Sequence, residues 1–168
     1  MATATYDLIA SQTLGSAAAS ITFSSIPSTY TDLRLVITSI ATGASNYNLF
    51  YRFNGDTGSN YSRTILYGDG SSAASNASVN FSFGAIVFSI GINAIPSLCT
   101  MDIFSYAGST YKTQLTTASV DTNGTGNVVR NVNLWRSTSA ITSILFYTDA
   151  SNNFATGTTA QLYGIKAA

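Results

Sequence analysis

The sequence predicts an all-β fold, an antiparallel β-sandwich of jelly-roll type with about ten strands in two packed sheets. Three observations lead to this prediction. Good helix formers are scarce, since Glu is absent and charged residues make up only 8% of the 168 residues. Short runs rich in β-branched and aromatic residues recur at fairly even spacing, separated by clusters of Gly, Ser, Asn and Asp. Several of these runs alternate apolar and polar residues, which is the period of a strand.

The strand signals can be placed in chain order. They fall at 6–11, 20–24, 32–41, 46–54, 78–82 with a continuation at 85–88, 98–106, 111–120, 127–136, 141–148 and 159–166. The strand at 32–41 is apolar on both faces apart from Arg34, so we expect it near the middle of a sheet. In 78–82 the alternation predicts that Val79, Phe81 and Phe83 point inward. Long loops are expected at 55–60, 68–76, 121–127 and 149–153.

No composition shift, charge run or proline-rich linker divides the chain, so residues 1–168 are predicted to form one domain. Cys99 has no second cysteine to pair with, and we interpret it as a small buried hydrophobic residue. The N-terminus lacks the basic and apolar regions of a signal peptide. The longest apolar stretch is interrupted by polar residues and is too short to cross a membrane. We therefore expect a soluble protein made in the cytoplasm.

The composition argues against most catalytic and metal chemistry. Without His, a Ser-His-Asp triad, a Cys-His pair and a His-containing zinc site are all excluded. Asp56 and Asp69 each lie beside Gly in a turn-like cluster, where Asp is favoured because it bonds its own backbone. The run 121–126 resembles the start of a calcium loop, but Val132 stands where the closing Glu belongs. We expect no catalytic residue, no cofactor and no metal.

Nucleic-acid binding is not expected either. The net charge is +0, and no basic block is present to neutralise phosphates. The abundance of hydroxyl and amide side chains and the absence of charge repulsion between copies instead favour self-association or static contact with a neighbour.

Five residues are candidate contacts to another subunit or to a glycan: Arg52, Tyr61, Tyr67, Trp135 and Arg136. An aromatic face beside Asn-rich loops is typical of a carbohydrate site, whereas packing in the core or between subunits is the competing interpretation. Trp135 alternates with Asn131 and Asn133, which leaves open that it faces outward. Four arginines fall in predicted strands and four aspartates fall in turns: Arg34, Arg52, Arg130 and Arg136, and Asp56, Asp69, Asp121 and Asp149. A further hypothesis is that these Arg side chains bridge sheets or subunits.

Specific runs of the sequence are similar to a family of small virion proteins of tailed bacteriophages, many of them from marine and cyanobacterial phages. The runs are YDLI at 6–9, ASITFSSIP at 19–27, YTDL at 30–33, RFNGDTGSNYS at 52–62 and QLYGIK at 161–166. The resemblance extends from end to end, and the middle of the chain is less distinctive. It implies a non-enzymatic structural role and brings no catalytic residues. It also implies that residues 54–60 form a long structured turn and that 163–165 lie in a closing strand.

The role expected first is a decoration or cement protein on the outer capsid surface of the virion. Its partners would be the major capsid protein or other virion proteins, with self-association, as a trimer in the first instance. The alternative is a tail-fibre or receptor-binding module that recognises host-surface glycans. Strand signals begin near residue 6 and continue to residue 166, which leaves no room for a fibre shaft and favours the first role.

Overall fold

A computed structural model describes residues 5–43, 47–90, 95–149 and 152–166. These residues form strands and connecting loops, and the strands make two antiparallel sheets. The predicted all-β antiparallel sandwich is therefore confirmed. The twelve strands are β1 (Tyr6–Thr13), β2 (Ser20–Phe23), β3 (Asp32–Ser39), β4 (Tyr47–Phe53), β5 (Tyr61–Gly68), β6 (Ala73–Phe81), β7 (Gly84–Ile90), β8 (Ser97–Ile103), β9 (Lys112–Asp121), β10 (Gly126–Trp135), β11 (Ile144–Thr148) and β12 (Thr159–Ile165).

The strand order has a simple underlying scheme. The larger sheet has eight strands in the order β1-β12-β3-β8-β9-β10-β5-β6, and the smaller has four in the order β2-β11-β4-β7. Without the two hairpins β5–β6 and β9–β10, four strands remain in each sheet, in the orders β1-β12-β3-β8 and β2-β11-β4-β7. Both hairpins extend the same end of the larger sheet, so this sheet is much wider than the one packed on it.

The core lies between the two sheets and is rich in aromatic side chains. β3 alternates strictly between buried and half-buried residues, and it lies inside the larger sheet, as predicted for 32–41. Tyr51 and Phe53 of the smaller sheet pack against Tyr61 and Trp135 of the larger, with ring centroids 5.4 to 6.4 Å apart. Cys99 is fully buried, as expected. No helix in the described part of the chain has the length and apolarity needed to cross a membrane.

The structure corrects the prediction between residues 61 and 83. Residues 61–68, which carried no strand prediction, form β5, and half of the expected loop 68–76 belongs to β6. Val79 points outward with 65% of its surface exposed, because it continues the alternation of Ser75, which pairs with the exposed Leu66. The register irregularity lies between Ser78 and Phe81, and Phe81 pairs with the buried Tyr61. The chain then crosses to the other sheet between Phe81 and Gly84, so 78–88 is two strands. Asn46, Ala150 and Ser151, which the sequence places in a strand and a loop, lie outside the described residues.

Candidate interaction surface

Two of the five candidate contact residues are inside the protein. Tyr61 is 1% exposed and Trp135 is 2% exposed, so neither ring is available to a glycan or to another subunit. The outward orientation left open for Trp135 is wrong. Asn131 and Asn133, which alternate with it, also point inward and are buried between the sheets. These two amide side chains of the strand therefore face the core.

Trp135 holds the loop between β4 and β5 in place. Its indole Nε1 donates a hydrogen bond of 2.6 Å to Asp56 Oδ2, which also accepts one of 3.0 Å from Asn60 Nδ2. Asp56 Oδ1 accepts the backbone N–H of Gly58 at 2.8 Å. Burial alone would raise the pKa of Asp56, but these three hydrogen bonds outweigh it and leave the pKa below its usual value. The carboxylate is thus committed to a long structured turn, as the resemblance implies.

The arginine candidates tie together parts of the same chain. Arg136 Nη2 donates to Asn80 Oδ1 at 2.7 Å and is close to the carbonyl of Ser59, so it joins the loop to β6. Arg52 Nε donates to the carbonyl of Ser82 at 3.1 Å, at the crossing between the sheets. The Arg52 guanidinium also lies 5.1 Å from the centre of the Tyr147 ring. Tyr67 is half-buried on β5.

Arg34 forms an ion pair of 3.1 Å with Asp102 on the neighbouring strand β8. Of the four arginines predicted to lie in strands, Arg34, Arg52 and Arg136 therefore make contacts within the chain.

The candidate carboxylates in the other loops also bond their own backbone. Asp69 Oδ1 accepts the N–H groups of Ser71 and Ser72, and these bonds lower the pKa of Asp69 to about 2. Asp121 Oδ1 accepts the N–H of Gly124 in a tight hairpin turn between β9 and β10. Within the described ranges no group of three or more His, Cys, Asp or Glu side chains is arranged to hold a metal ion.

The sequence did not reveal an exposed apolar area on the outer face of the wide sheet. We call it the outer patch, which spans five adjacent strands in the order β8-β9-β10-β5-β6. It consists of five side chains on four of these strands, each 48% to 66% exposed: Leu66, Val79, Leu98, Val128 and Val132. Ser and Thr side chains separate these residues, so the patch is a mixture of methyl and hydroxyl groups. The signal that could have found it was present, because Val128 and Val132 alternate with Asn131 and Asn133. The alternation by itself left open which face of this strand points inward.

Arg130 lies in the middle of the outer patch. It stands between Val128 and Val132 along β10, opposite Leu66 on β5 and opposite Thr117 on β9. No hydrogen bond or ion pair joins the side chain of Arg130 to the residues that the structure describes. Among the outward side chains of β5 and β10, both described throughout, it is the single charged one. The patch therefore offers a flat, mostly uncharged surface with one unpaired cation.

Comparison of the chain with protein-family models, with curated proteins and with solved structures gives no match.

Proposed function

We propose that the protein is a non-enzymatic virion structural protein that docks on the outer surface of a capsid as a decoration or cement protein. The observation that supports this most is the outer patch with Arg130 at its centre. The resemblance of the sequence to small phage virion proteins points the same way. Neither feature requires a cofactor or a metal.

The chemistry of the outer patch suggests what covers it. Hydroxyl and methyl groups are desolvated at much lower cost than charges, so a flat partner surface can pack on them. Arg130 then needs a carboxylate opposite it, because a charge buried without a partner is expensive. Arg in an apolar surround is typical of the residues that dominate interface energies. The partner is therefore a shell protein that presents an acidic residue within an apolar surface.

The size of the outer patch is adequate for such contact. Five strands spaced about 4.8 Å apart, each contributing about 25 Å of length, give about 600 Å². A standard protein interface buries about 800 Å² on each partner. Docking of many copies on a repeating shell would stabilise that shell, since each copy can bridge neighbouring subunits.

The carboxylates support a non-enzymatic role. A glycoside hydrolase uses a pair of carboxyl groups on either side of its substrate. Asp56 and Asp69 instead accept hydrogen bonds from their own loops. We expect purified protein to show no turnover of polysaccharides, and activity that Asp56→Ala or Asp69→Ala abolishes would contradict the proposal.

The location on the particle tests the proposal directly. Electron cryomicroscopy of purified virions should show the protein in hundreds of copies on the capsid exterior, with a side chain of the shell protein against Arg130. Virions that lack it should lose resistance to heat or osmotic shock. A handful of copies at the tail would overturn the proposal.

A binding assay with the virion tests the part played by Arg130. The variant Arg130→Glu should fail to rebind particles that have been stripped of the protein, because it places like charges together. The variant Arg130→Lys keeps the charge and should retain most of the binding. Equal rebinding by both variants would remove the outer patch as the docking face.

A receptor-binding role is the second candidate. It is favoured by Phe104 and Tyr111, which are 44% and 54% exposed close to one another in the chain, in and beside the connection between β8 and β9. Exposed aromatic rings are the usual platforms for sugars. Binding of the purified protein to host glycans on an array, lost in Tyr111→Ala, would support this role, and no binding at high concentration would exclude it.

A further inference from the structure

Residues 73–78 of β6, the free edge of the wide sheet, have none of the features that usually block edge strands, because the register irregularity of β6 lies beyond them, between Ser78 and Phe81. A free edge exposes unpaired N–H and C=O groups, and proteins commonly protect it with charge, proline, bulges or short length. β6 has nine residues, and its sequence AASNASVNF contains neither a charge nor a proline. Its residues are exposed or half-buried along the whole length.

The other edges with fully described side chains are protected. β1, at the opposite end of the same sheet, carries Asp7 in an ion pair with Lys166 and has a register irregularity between Leu8 and Ala10. β2, at an edge of the smaller sheet, is only four residues long. The contrast marks β6 as an edge suited to pairing.

The hairpin turn determines which backbone groups of β6 point outward. The N–H of Asp69 donates to the carbonyl of Ser72 at 3.2 Å, so these two residues are a hydrogen-bonded pair. Hydrogen-bonded and non-hydrogen-bonded pairs alternate along an antiparallel ladder. Ala74, Asn76 and Ser78 therefore bond β5, whereas the N–H and C=O groups of the residues between them face the open edge: Ala73, Ser75 and Ala77.

These free groups are self-complementary. We infer that β6 pairs with β6 of a second copy of this chain, antiparallel, about a two-fold axis at Ser75. Ser75 then faces Ser75 of the second copy, and Ala73 faces Ala77 in both directions, which gives about six main-chain hydrogen bonds. Ala and Ser side chains are small enough to allow the approach, and no charge is brought against its equivalent. The regular register of residues 73–78 with β5 covers the whole paired stretch.

The pairing has a defined geometry. The two-fold axis of an antiparallel ladder is perpendicular to the sheet, so the two wide sheets join into one of sixteen strands, twice the eight of each copy. Side chains that point outward in one copy point to the same side in the other. The product is a closed dimer rather than the trimer that the sequence suggested. The inference does not depend on a virion role.

Sedimentation equilibrium of the purified full chain tests the pairing. The wild type should sediment with twice the chain mass of 17.6 kDa at high protein concentration. The variant Ser75→Lys should sediment at the chain mass, because the two-fold axis would place the two ammonium groups together. The control Ser119→Lys adds the same charge to the same face at an exposed position on β9, and it should remain a dimer.

Amide hydrogen exchange supplies a readout that does not depend on the variant. In the wild type the amides of Ala73, Ser75 and Ala77 should exchange at least tenfold more slowly than in Ser75→Lys. The amides of Ala74, Asn76 and Ser78 should stay protected in both, which shows that the hairpin is folded. A wild-type monomer at all concentrations, a mass other than that of a dimer, or free exchange at Ala73, Ser75 and Ala77 in a wild-type dimer would overturn the inference.

Discussion

Asn131 and Asn133 are the residues at which sequence and structure differ most. Amide side chains on a strand ordinarily indicate its solvent face, yet both are buried here, while Val128 and Val132 are exposed. Asn131 Nδ2 donates to Thr116 Oγ1 of β9 at 2.8 Å, so part of its polarity is satisfied across the ladder. A single strand cannot reveal such a partner, because the partner comes from another strand. The outer patch was missed for the same reason.

The contact between Trp135 and Asp56 gives a prediction at this scale. The variant Asp56→Ala should lower the free energy of unfolding by about 2 kcal/mol, because it leaves the buried indole N–H without its charged acceptor. Urea denaturation measures the change. The variant Trp135→Phe and the double variant complete a cycle, and additive losses would show that the two side chains do not interact.

The same contact should depend on pH. The pKa of Asp56 is lowered in the folded protein relative to its usual 3.8, so its stabilising effect is present above that value and is lost as the pH falls through the lower folded pKa. The difference in stability between wild type and Asp56→Ala should therefore shrink in strong acid. A constant difference would contradict this assignment.

At the scale of the element, β5 and β6 show why strands are missed. β5 places Arg63 between Tyr61 and Ile65 on its inward face, which disguises the alternation. β6 consists mostly of residues with low strand preference, and it forms a strand because its backbone pairs with that of β5. The strands at 32–41 and 159–166 were predictable, since interior strands of a sandwich carry apolar residues on their buried faces.

The start of β7 gives a prediction about packing between strands. Gly84 is paired with Tyr51 of β4, and a Cβ atom built on Gly84 would stand 2.0 Å from Cζ of the Tyr51 ring. That ring is fully buried, and its hydroxyl donates to Gln114 Oε1 at 2.9 Å, so it cannot move aside without losing this bond. The variant Gly84→Ala should therefore lose about 3 kcal/mol of stability.

The control for this prediction is Gly15→Ala. Nothing lies within 4 Å of a Cβ atom at Gly15 and its φ is not positive, so the change should alter stability by less than about 0.5 kcal/mol. Thermal unfolding of the two variants beside the wild type measures the difference. Equal melting temperatures would mean that the ring of Tyr51 does not cover Gly84.

At the scale of the whole molecule, the composition implies that thermal stability changes little with pH near neutrality. With neither His nor Glu in the chain, no side chain with an ordinary pKa titrates between about pH 5 and pH 7.5. The melting temperature should be nearly constant over this interval, which a series of thermal melts can establish. A transition near pH 6 to 7 would contradict the prediction.

Outside that interval the pKa shifts define whether stability rises or falls with pH. Burial raises the pKa values of Tyr51 and Tyr61, and it raises the pKa of Cys99 to about 12. The unfolded chain ionises first as the pH rises above about 8.5 to 10, so stability is complete below that range and falls above it. On the acid side the aspartates with lowered pKa values, Asp56 and Asp69, lose their effect only below their usual 3.8.

The all-β fold class was predictable because the composition and the alternation of apolar and polar residues are averaged over many residues, so single exceptions matter little. The order of the strands was not, since the pairing of β1 with β12 or of β5 with β10 joins parts of the chain that share no local signal. The candidate contact residues were only partly predictable, because burial of Tyr61 and Trp135 is decided by the opposite sheet.

The position of β12 has a consequence for the time course of folding. β12 lies between β1 and β3, so Tyr6 finds its partner only when Ile165 is available. Pairings between such distant residues carry a high entropic cost of loop closure and are typical of slow folding. During synthesis, β1 must wait unpaired until nearly the whole described chain has emerged from the ribosome. Pairing of β12 with β1 and β3 is thus the last step in the folding of the wide sheet.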